Sequence, residues 1–194
     1  MNIKKYIMPL FLLTAQLNAS FLSSDGGWGN HYNVPKILSV SVIATAAITG
    51  NESKFGKTVW KSMDALIISA IATDALKRTF NRVRPADRHL YGGKDTWFKD
   101  GNHSFPSGHV SSVAAIVTPF VLEYQDENPW VHALWLLPIH QMLGRYNDNR
   151  HHISDVIAGF GVGFISGYIA NKMDTPMFLT FTDDGVYGGL SLDF

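Results

Sequence analysis

The residues best suited to chemistry in this chain stand together in Gly144-Arg145-Tyr146-Asn147-Asp148-Asn149-Arg150-His151-His152-Ile153-Ser154-Asp155. Two arginines, two adjacent histidines and two aspartates fall within twelve residues, and an apolar run, Val156 to Phe160, follows at once. If that run is helical and begins near His151, then His151 and Asp155 lie one turn apart on a shared face. The carboxylate can then accept one imidazole N–H and leave the other ring nitrogen with its lone pair turned outward. Such a pair serves as a nucleophile, or as a metal ligand with its supporting carboxylate. The same spacing is also met as a plain surface pair, so the stretch alone does not decide between them.

Two further stretches bear on that choice. Lys77-Arg78-Thr79-Phe80-Asn81-Arg82-Val83-Arg84-Pro85 closes an expected helix, and Lys77 and Arg84 are seven residues apart, two turns, with both cations on one face. Pro85 disfavours the helical conformation at Arg84 and leaves that arginine at the helix end with freedom to reach. A solvated basic helix end complementing the dipole has the same composition. Ser104-Phe105-Pro106-Ser107-Gly108-His109 then precedes the apolar run Val110 to Leu122. Pro, Ser and Gly ahead of such a run mark a helix start, where backbone N–H groups can hold an anion. An ordinary capped helix with a solvent-facing His109 is the plainer alternative.

Taken together, Lys77-x6-Arg84-Pro85, Pro106-Ser107-Gly108-His109 and Arg145-x5-His151-x3-Asp155 resemble the type 2 phosphatidic acid phosphatase superfamily. That family includes bacterial acid phosphatases, lipid phosphate phosphatases and vanadium haloperoxidases. The resemblance runs over residues 77 to 160 and agrees in order and spacing. It departs at Gly144, where the family usually has Ser.

The resemblance implies a phosphatase with His151 as nucleophile, Asp155 orienting it, and His109 as proton donor to the leaving alcohol and then as base for water. Lys77, Arg84, Ser107, Gly108 and Arg145 would bind the phosphate. No metal and no cofactor is expected, because the cations themselves can neutralise the phosphoryl oxygens. The doubled histidine in Asp148-Asn149-Arg150-His151-His152 is similar to the corresponding stretch of lipid phosphate phosphatases, which makes a phosphorylated lipid the leading substrate. A small phosphate ester, taken by a soluble broad-specificity acid phosphatase, is the alternative. A haloperoxidase would use the same cage, but this chain is short for one. From another class, a non-enzymatic helical protein could bind an anion or metal through His151, His152 and Asp155. His152 itself is expected to point away from the site. His31, His89, His103, His132 and His140 have no spacing partner, and Arg78, Arg82 and Arg150 are expected in solvent, with Arg82 able to help attract anions.

The chain bounds these readings. Its 194 residues suit a single domain, here 20–194. With 16 basic and 16 acidic residues the formal charge is zero, and no basic stripe suggests nucleic acid. There is no cysteine, hence no disulfide framework and no thiolate chemistry. Residues 1–19 read as a signal peptide: Lys4 and Lys5, an apolar core from Ile7 to Leu17, and a cleavage site after Ala19. Its removal takes away two lysines and no acid, leaving a net charge of −2. The mature chain is accordingly expected in the periplasm.

The elements that must position these residues read as an all-α bundle of about five or six core helices with a short C-terminal β-hairpin. Helices are expected over Ile37 to Thr49, Val59 to Phe80, Val110 to Leu122, Pro129 to Met142 and Val156 to Ala170. Residues 86–105 read as a loop, either a rim over the site or a plain connection. Gly159, Gly161, Gly163 and Gly167 would let the last helix approach its neighbours closely. Alternation over 176–194 predicts the hairpin. Beyond the signal segment the apolar runs are shorter than the roughly 20 residues a bilayer requires. That favours a bundle with at most peripheral membrane contact; the oligomeric state is left open.

Overall fold

The computed structural model describes residues 33–173, 180–182 and 185–187. Five α-helices carry the architecture: α1 Val34–Thr49, α2 Lys54–Phe80, α3 Gly108–Tyr124, α4 Leu136–Asn147 and α5 Ile153–Lys172. Two 3-10 segments, Pro85–Tyr91 and Pro129–Trp135, link them. The all-helical class stands. The hairpin expected over 176–194 falls largely outside the described residues. Two three-residue pieces, Thr180–Thr182 and Gly185–Tyr187, face each other antiparallel there, too little to establish that element. The signal segment also lies outside the described residues.

Helix α3 is the axis of the bundle and packs against α1, α2, α4 and α5. Its sequence is apolar nearly all round, as a central helix must be, and Val113, Ile116, Val117, Phe120 and Val121 are buried. They meet Leu38, Val42 and Ala46 of α1 and Val59, Trp60 and Met63 of α2 in one core.

Helix α5 comes closest to α3 because its glycines remove side chains at the crossing. A Cβ on Gly159 would stand 2.5 Å from the Ser107 carbonyl oxygen, and one on Gly167 would stand 2.4 Å from Thr118 Cβ. Gly163 faces Ser111 and Ala114 in the same way. Gly161 does not share this role, since a Cβ there would meet nothing.

Three boundaries differ from expectation by more than three residues. Helix α2 starts at Lys54 because Ser53 caps it, its Oγ accepting from Gly56 N–H at 3.0 Å. The fourth helix does not start at Pro129. Pro138 deep in a helix would lose a backbone bond and clash with the carbonyl four residues back. The α conformation therefore begins only at Leu136, and Pro138 falls in the first turn. That helix also runs on to Asn147, so Arg145 projects from a helix end.

Candidate active site

The site forms where the C-terminal end of α2, the N-terminal ends of α3 and α5 and the C-terminal end of α4 meet. Lys77 lies in the last turn of α2, and its Nζ donates to the His103 carbonyl at 2.7 Å. Asn81 ends the helix in the left-handed region, at φ 39°. Arg84 follows in extended backbone, φ −70° and ψ 152°, as the residue before Pro85 requires.

Residues 92–107 return across this helix end. Val83 N–H donates to Thr96, Phe98 N–H to Phe80, and Ser104 N–H to Arg82. Phe80, Trp97 and Phe105 cluster with ring centroids 5.2–5.9 Å apart. The segment expected as a rim or plain loop is thus a 3-10 turn followed by a strap bonded to α2, and it delivers Asp95 and Ser104 to the site.

Ser107 is the N-cap of α3 and is fully buried. Its N–H donates to the Asp155 carbonyl at 2.9 Å, which ties the second motif to the third. Its Oγ has no hydrogen-bond partner among the described residues, although a buried hydroxyl normally finds one. An acceptor-rich ligand at this helix N-terminus would satisfy it, alongside the N–H groups of the first turn. Gly108 and His109 open that turn.

Asp155 is fully buried and accepts on both oxygens. Oδ2 takes Ser104 Oγ at 2.6 Å and His152 N–H at 2.9 Å; Oδ1 takes Arg82 Nη1 at 2.5 Å. Burial would raise its pKa, but His151, Ser104, the His152 N–H and Arg82 outweigh that and hold the carboxyl at about 2.

His151, 2% exposed, brings its Nδ1 to 3.7 Å from Asp155 Oδ2. This is an ion-pair distance and longer than a hydrogen bond. The expectation that both residues share a helical face is corrected. His152 is the N-cap of α5 and Asp155 its third residue, so His151 precedes the helix. The helix starts late because the Asp155 carboxylate holds the His152 N–H, while the His151 N–H is committed to the Arg145 carbonyl at 3.3 Å. With Nδ1 turned toward Asp155, Nε2 is the ring nitrogen left to face a substrate.

Burial lowers the imidazole pKa below its ordinary 6.5, with Arg145 and Lys77 pushing the same way and Asp155 opposing. Lys77 is brought down to about 8, first by burial and then by Arg84 and Arg145, against the pull of Asp155. Lys77 thus feels the charges of Arg84, Arg145 and Asp155, and His151 those of Arg145, Lys77 and Asp155. Arg145 is buried at 3% exposure. Each cation disfavours the charged form of the next, so an anion placed among them would be attracted by all.

One residue, Arg82, was placed differently by sequence, and a second, His152, was placed as the structure has it. Arg82, expected in solvent, is 5% exposed. It bonds Asp95 through Nε and Nη2 at 3.0 and 2.5 Å, bonds Ser154 and Asp155 through Nη1, and stacks 4.3 Å from the Trp97 ring centre. No spacing in the sequence marked it, since residues two apart in an extended chain share one face and nothing local separates Arg82 from Arg84. His152, expected away from the site, indeed turns from it. Its Nε2 donates to the Val83 carbonyl at 3.1 Å and its Nδ1 accepts from Arg88 at 3.0 Å. A carbonyl can only accept and a guanidinium only donate, so His152 is the neutral Nε2–H tautomer. His89, His103 and His132 are exposed and His140 half-buried; His31 lies outside the described residues. Among the described residues no group of three or more His, Asp or Glu is arranged to hold a metal ion.

The PAP2 superfamily model matches residues 58–176, which include every one of these groups. The chain belongs to the PAP2 superfamily. It is 30% identical over 180 residues to a lipid A 1-phosphatase of Porphyromonas gingivalis, covering 86% of this chain and 37% of that one. It is 33% identical over 103 residues to a lipid A 1-phosphatase of Rhizobium etli, covering 50% of this chain and 42% of that one. The chain thus spans about two fifths of the length of these curated relatives. No solved structure matches it.

Proposed function

We propose that this PAP2 chain is a phosphatase that hydrolyses lipid-linked phosphate monoesters or diphosphates through a phosphohistidine on His151. The observation that carries the reading is the unpartnered Ser107 Oγ at the α3 N-terminus, beside the Lys77 stem at Gly108 and tied through the Ser107 N–H to the buried His151–Asp155 pair.

Catalysis would follow from positioning and charge. The three cations and the Ser107 and Gly108 donors hold the equatorial phosphoryl oxygens, the arginines by forked hydrogen bonds. His151 Nε2 attacks phosphorus while the bond to the leaving oxygen breaks, and His109 gives that oxygen a proton. Asp155 stabilises the charge that appears on the His151 ring. Water then attacks the phosphohistidine, His109 takes its proton, and the N–P bond breaks to release phosphate. The scheme needs no metal, since the cations neutralise the developing charge.

A lipid substrate is favoured by the names of the relatives and by the surface. Helix α5 is long and apolar enough to cross a membrane, a test that the core helix of a soluble protein also passes. One face of it packs on α3, while Ile157, Ile165 and Tyr168 on the other remain 57, 58 and 46% exposed. Leu136, Ile139 and Leu143 of α4 continue this apolar surface. We place the enzyme at the periplasmic face of a membrane, consistent with the signal-like composition of residues 1–19.

Phosphate release from a detergent-dispersed lipid phosphate and from a soluble aryl phosphate, with EDTA present and His151→Ala as control, tests the reading. Release from the lipid alone supports it. Equal release from both points to a broad-specificity acid phosphatase. No release from either, with the variant indistinguishable, removes the enzyme and leaves an anion- or metal-binding protein.

A further inference from the structure

A groove of about 660 Å³ runs between α1, α2 and α3 and ends at Lys77, Gly108 and His109. His151, Arg84 and Arg145 do not line it. In an in-line displacement the attacking and leaving atoms stand on opposite sides of phosphorus. A groove that meets the site at His109 and not at His151 therefore leads away on the leaving-group side.

Its wall chemistry decides what it can take. Ser39, Thr73, Ser111 and Ser112 contribute hydroxyls to the lining, but these are largely engaged within the protein. Ser39 Oγ donates to the Pro35 carbonyl at 2.7 Å, Ser111 and Ser112 reach the Gly108 carbonyl, and Thr73 Oγ1 pairs with Ser111 Oγ at 2.9 Å. The wall thus offers few free donors, and Val40 and Ala70 add plain hydrocarbon from facing helices. Of the acidic and basic groups along it, Asp74 is bonded to Arg78 at 2.6 Å, Lys77 belongs to the phosphate site, and Lys36 is exposed on α1. A polar, hydroxyl-rich alcohol would forfeit hydrogen bonds to water here without replacement, whereas a hydrocarbon chain would lose none.

We infer that this groove binds the hydrocarbon portion of the alcohol that leaves phosphorus, and that Val40 and Ala70 set the preference for it. The inference rests on the phosphatase reading above. Binding energy gathered along a chain remote from phosphorus raises kcat/KM. Helix α1 lies outside residues 58–176, so the Val40 side of the groove is a wall that the family match does not include, while Ala70 lies within it.

Linear alkyl phosphates from ethyl to decyl, each below its micellar concentration, read the groove directly. Wild-type kcat/KM should rise about twofold per added methylene, half the transfer free energy of a buried CH₂ because the groove is open to solvent. Ala70→Trp, which fills the groove, and Val40→Asp, which charges its wall, should each flatten that slope. A flat wild-type series with measurable turnover, or variants that keep the wild-type slope, would overturn the inference while leaving the phosphatase intact. No release from any ester, ethyl phosphate included, would overturn both.

Discussion

Arg82 and Asp155 are joined at 2.5 Å, Nη1 to Oδ1, across 73 residues of sequence, and both are buried. The guanidinium fixes the rear oxygen of the carboxylate whose other oxygen faces His151 at 3.7 Å. Asp95 and the Trp97 ring hold the guanidinium in turn. The strap over residues 92–107 therefore acts on His151 through one chain of contacts: Asp95 to Arg82, Arg82 to Asp155, Asp155 to His151.

Arg82→Leu breaks this buried pair and strands the Asp155 carboxylate, at a cost of about 3–5 kcal/mol in stability. Arg82→Lys keeps the charge but offers a point donor that cannot serve Asp95, Ser154 and Asp155 together. In Arg82→Lys, kcat should fall about tenfold to a hundredfold, as when the partner that orients a functional histidine is lost. KM should change little, because Arg82 does not face the phosphate. Initial rates on any accepted ester, with urea unfolding alongside, check both. A rise in KM with kcat intact would place Arg82 on the substrate instead.

If Lys77, Arg84 and Arg145 bind phosphate as proposed, anion affinity should depend on pH in one direction. Lys77, at about 8 in the free protein, is largely neutral at pH 9 and must take up a proton to pair with a bound phosphate. Inorganic phosphate keeps its own charge between about pH 8 and 10, so its dissociation constant should climb toward tenfold per unit over that range. Lys77→Arg, which stays charged, should abolish the slope. Calorimetric titration at three pH values in two buffers would show the proton uptake.

Asp155 makes the opposite end of the pH scale informative. Its folded pKa of about 2 lies below the ordinary 3.8, so the folded state binds fewer protons than the unfolded between those values. The resulting stability is fully present above pH 3.8 and is lost as pH falls toward 2. The shift corresponds to about 2 kcal/mol. Thermal unfolding of the wild type should show this loss, and Asp155→Asn should be less stable at pH 6 but largely flat between pH 4 and 2.

What could be read from sequence was whatever the chain keeps local. The three motifs carry their spacing on their face, and the apolar runs around them mark four of the helices within a few residues. The failures have a common cause. His151 and Asp155 look like a helical pair because they are four apart, but the helix start is set by which N–H the carboxylate captures. Arg82 looks solvated because a cation two residues from a helix end usually is; its partners, Asp95 and Asp155, are 13 and 73 residues away. The 3-10 segment before α4 follows from Pro138, whose effect on the preceding turn outweighs the apolar periodicity that suggested an earlier start.

Ser107 and Gly159 separate a binding role from a packing role at the same place. Ser107→Ala removes an Oγ that bonds nothing among the described residues, so stability should be unchanged or rise slightly. Phosphate affinity and kcat/KM should both fall, kcat/KM by about tenfold to a hundredfold, as befits a lost hydrogen bond to a charged group. Gly159→Ala behaves the other way. Its Cβ would meet the Ser107 carbonyl oxygen at 2.5 Å, which pushes α5 from the α3 N-terminus and loosens the Ser107–Asp155 backbone bond. It should cost about 1–3 kcal/mol as overpacking does, with activity falling because both motifs shift. Gly161→Ala, one turn face away and open, should instead gain up to about 1 kcal/mol from helix propensity with activity intact. Urea unfolding and phosphate release on the three variants make the comparison. Equal destabilisation by Gly159→Ala and Gly161→Ala would mean that the close crossing of α3 and α5 does not hold the two motifs together.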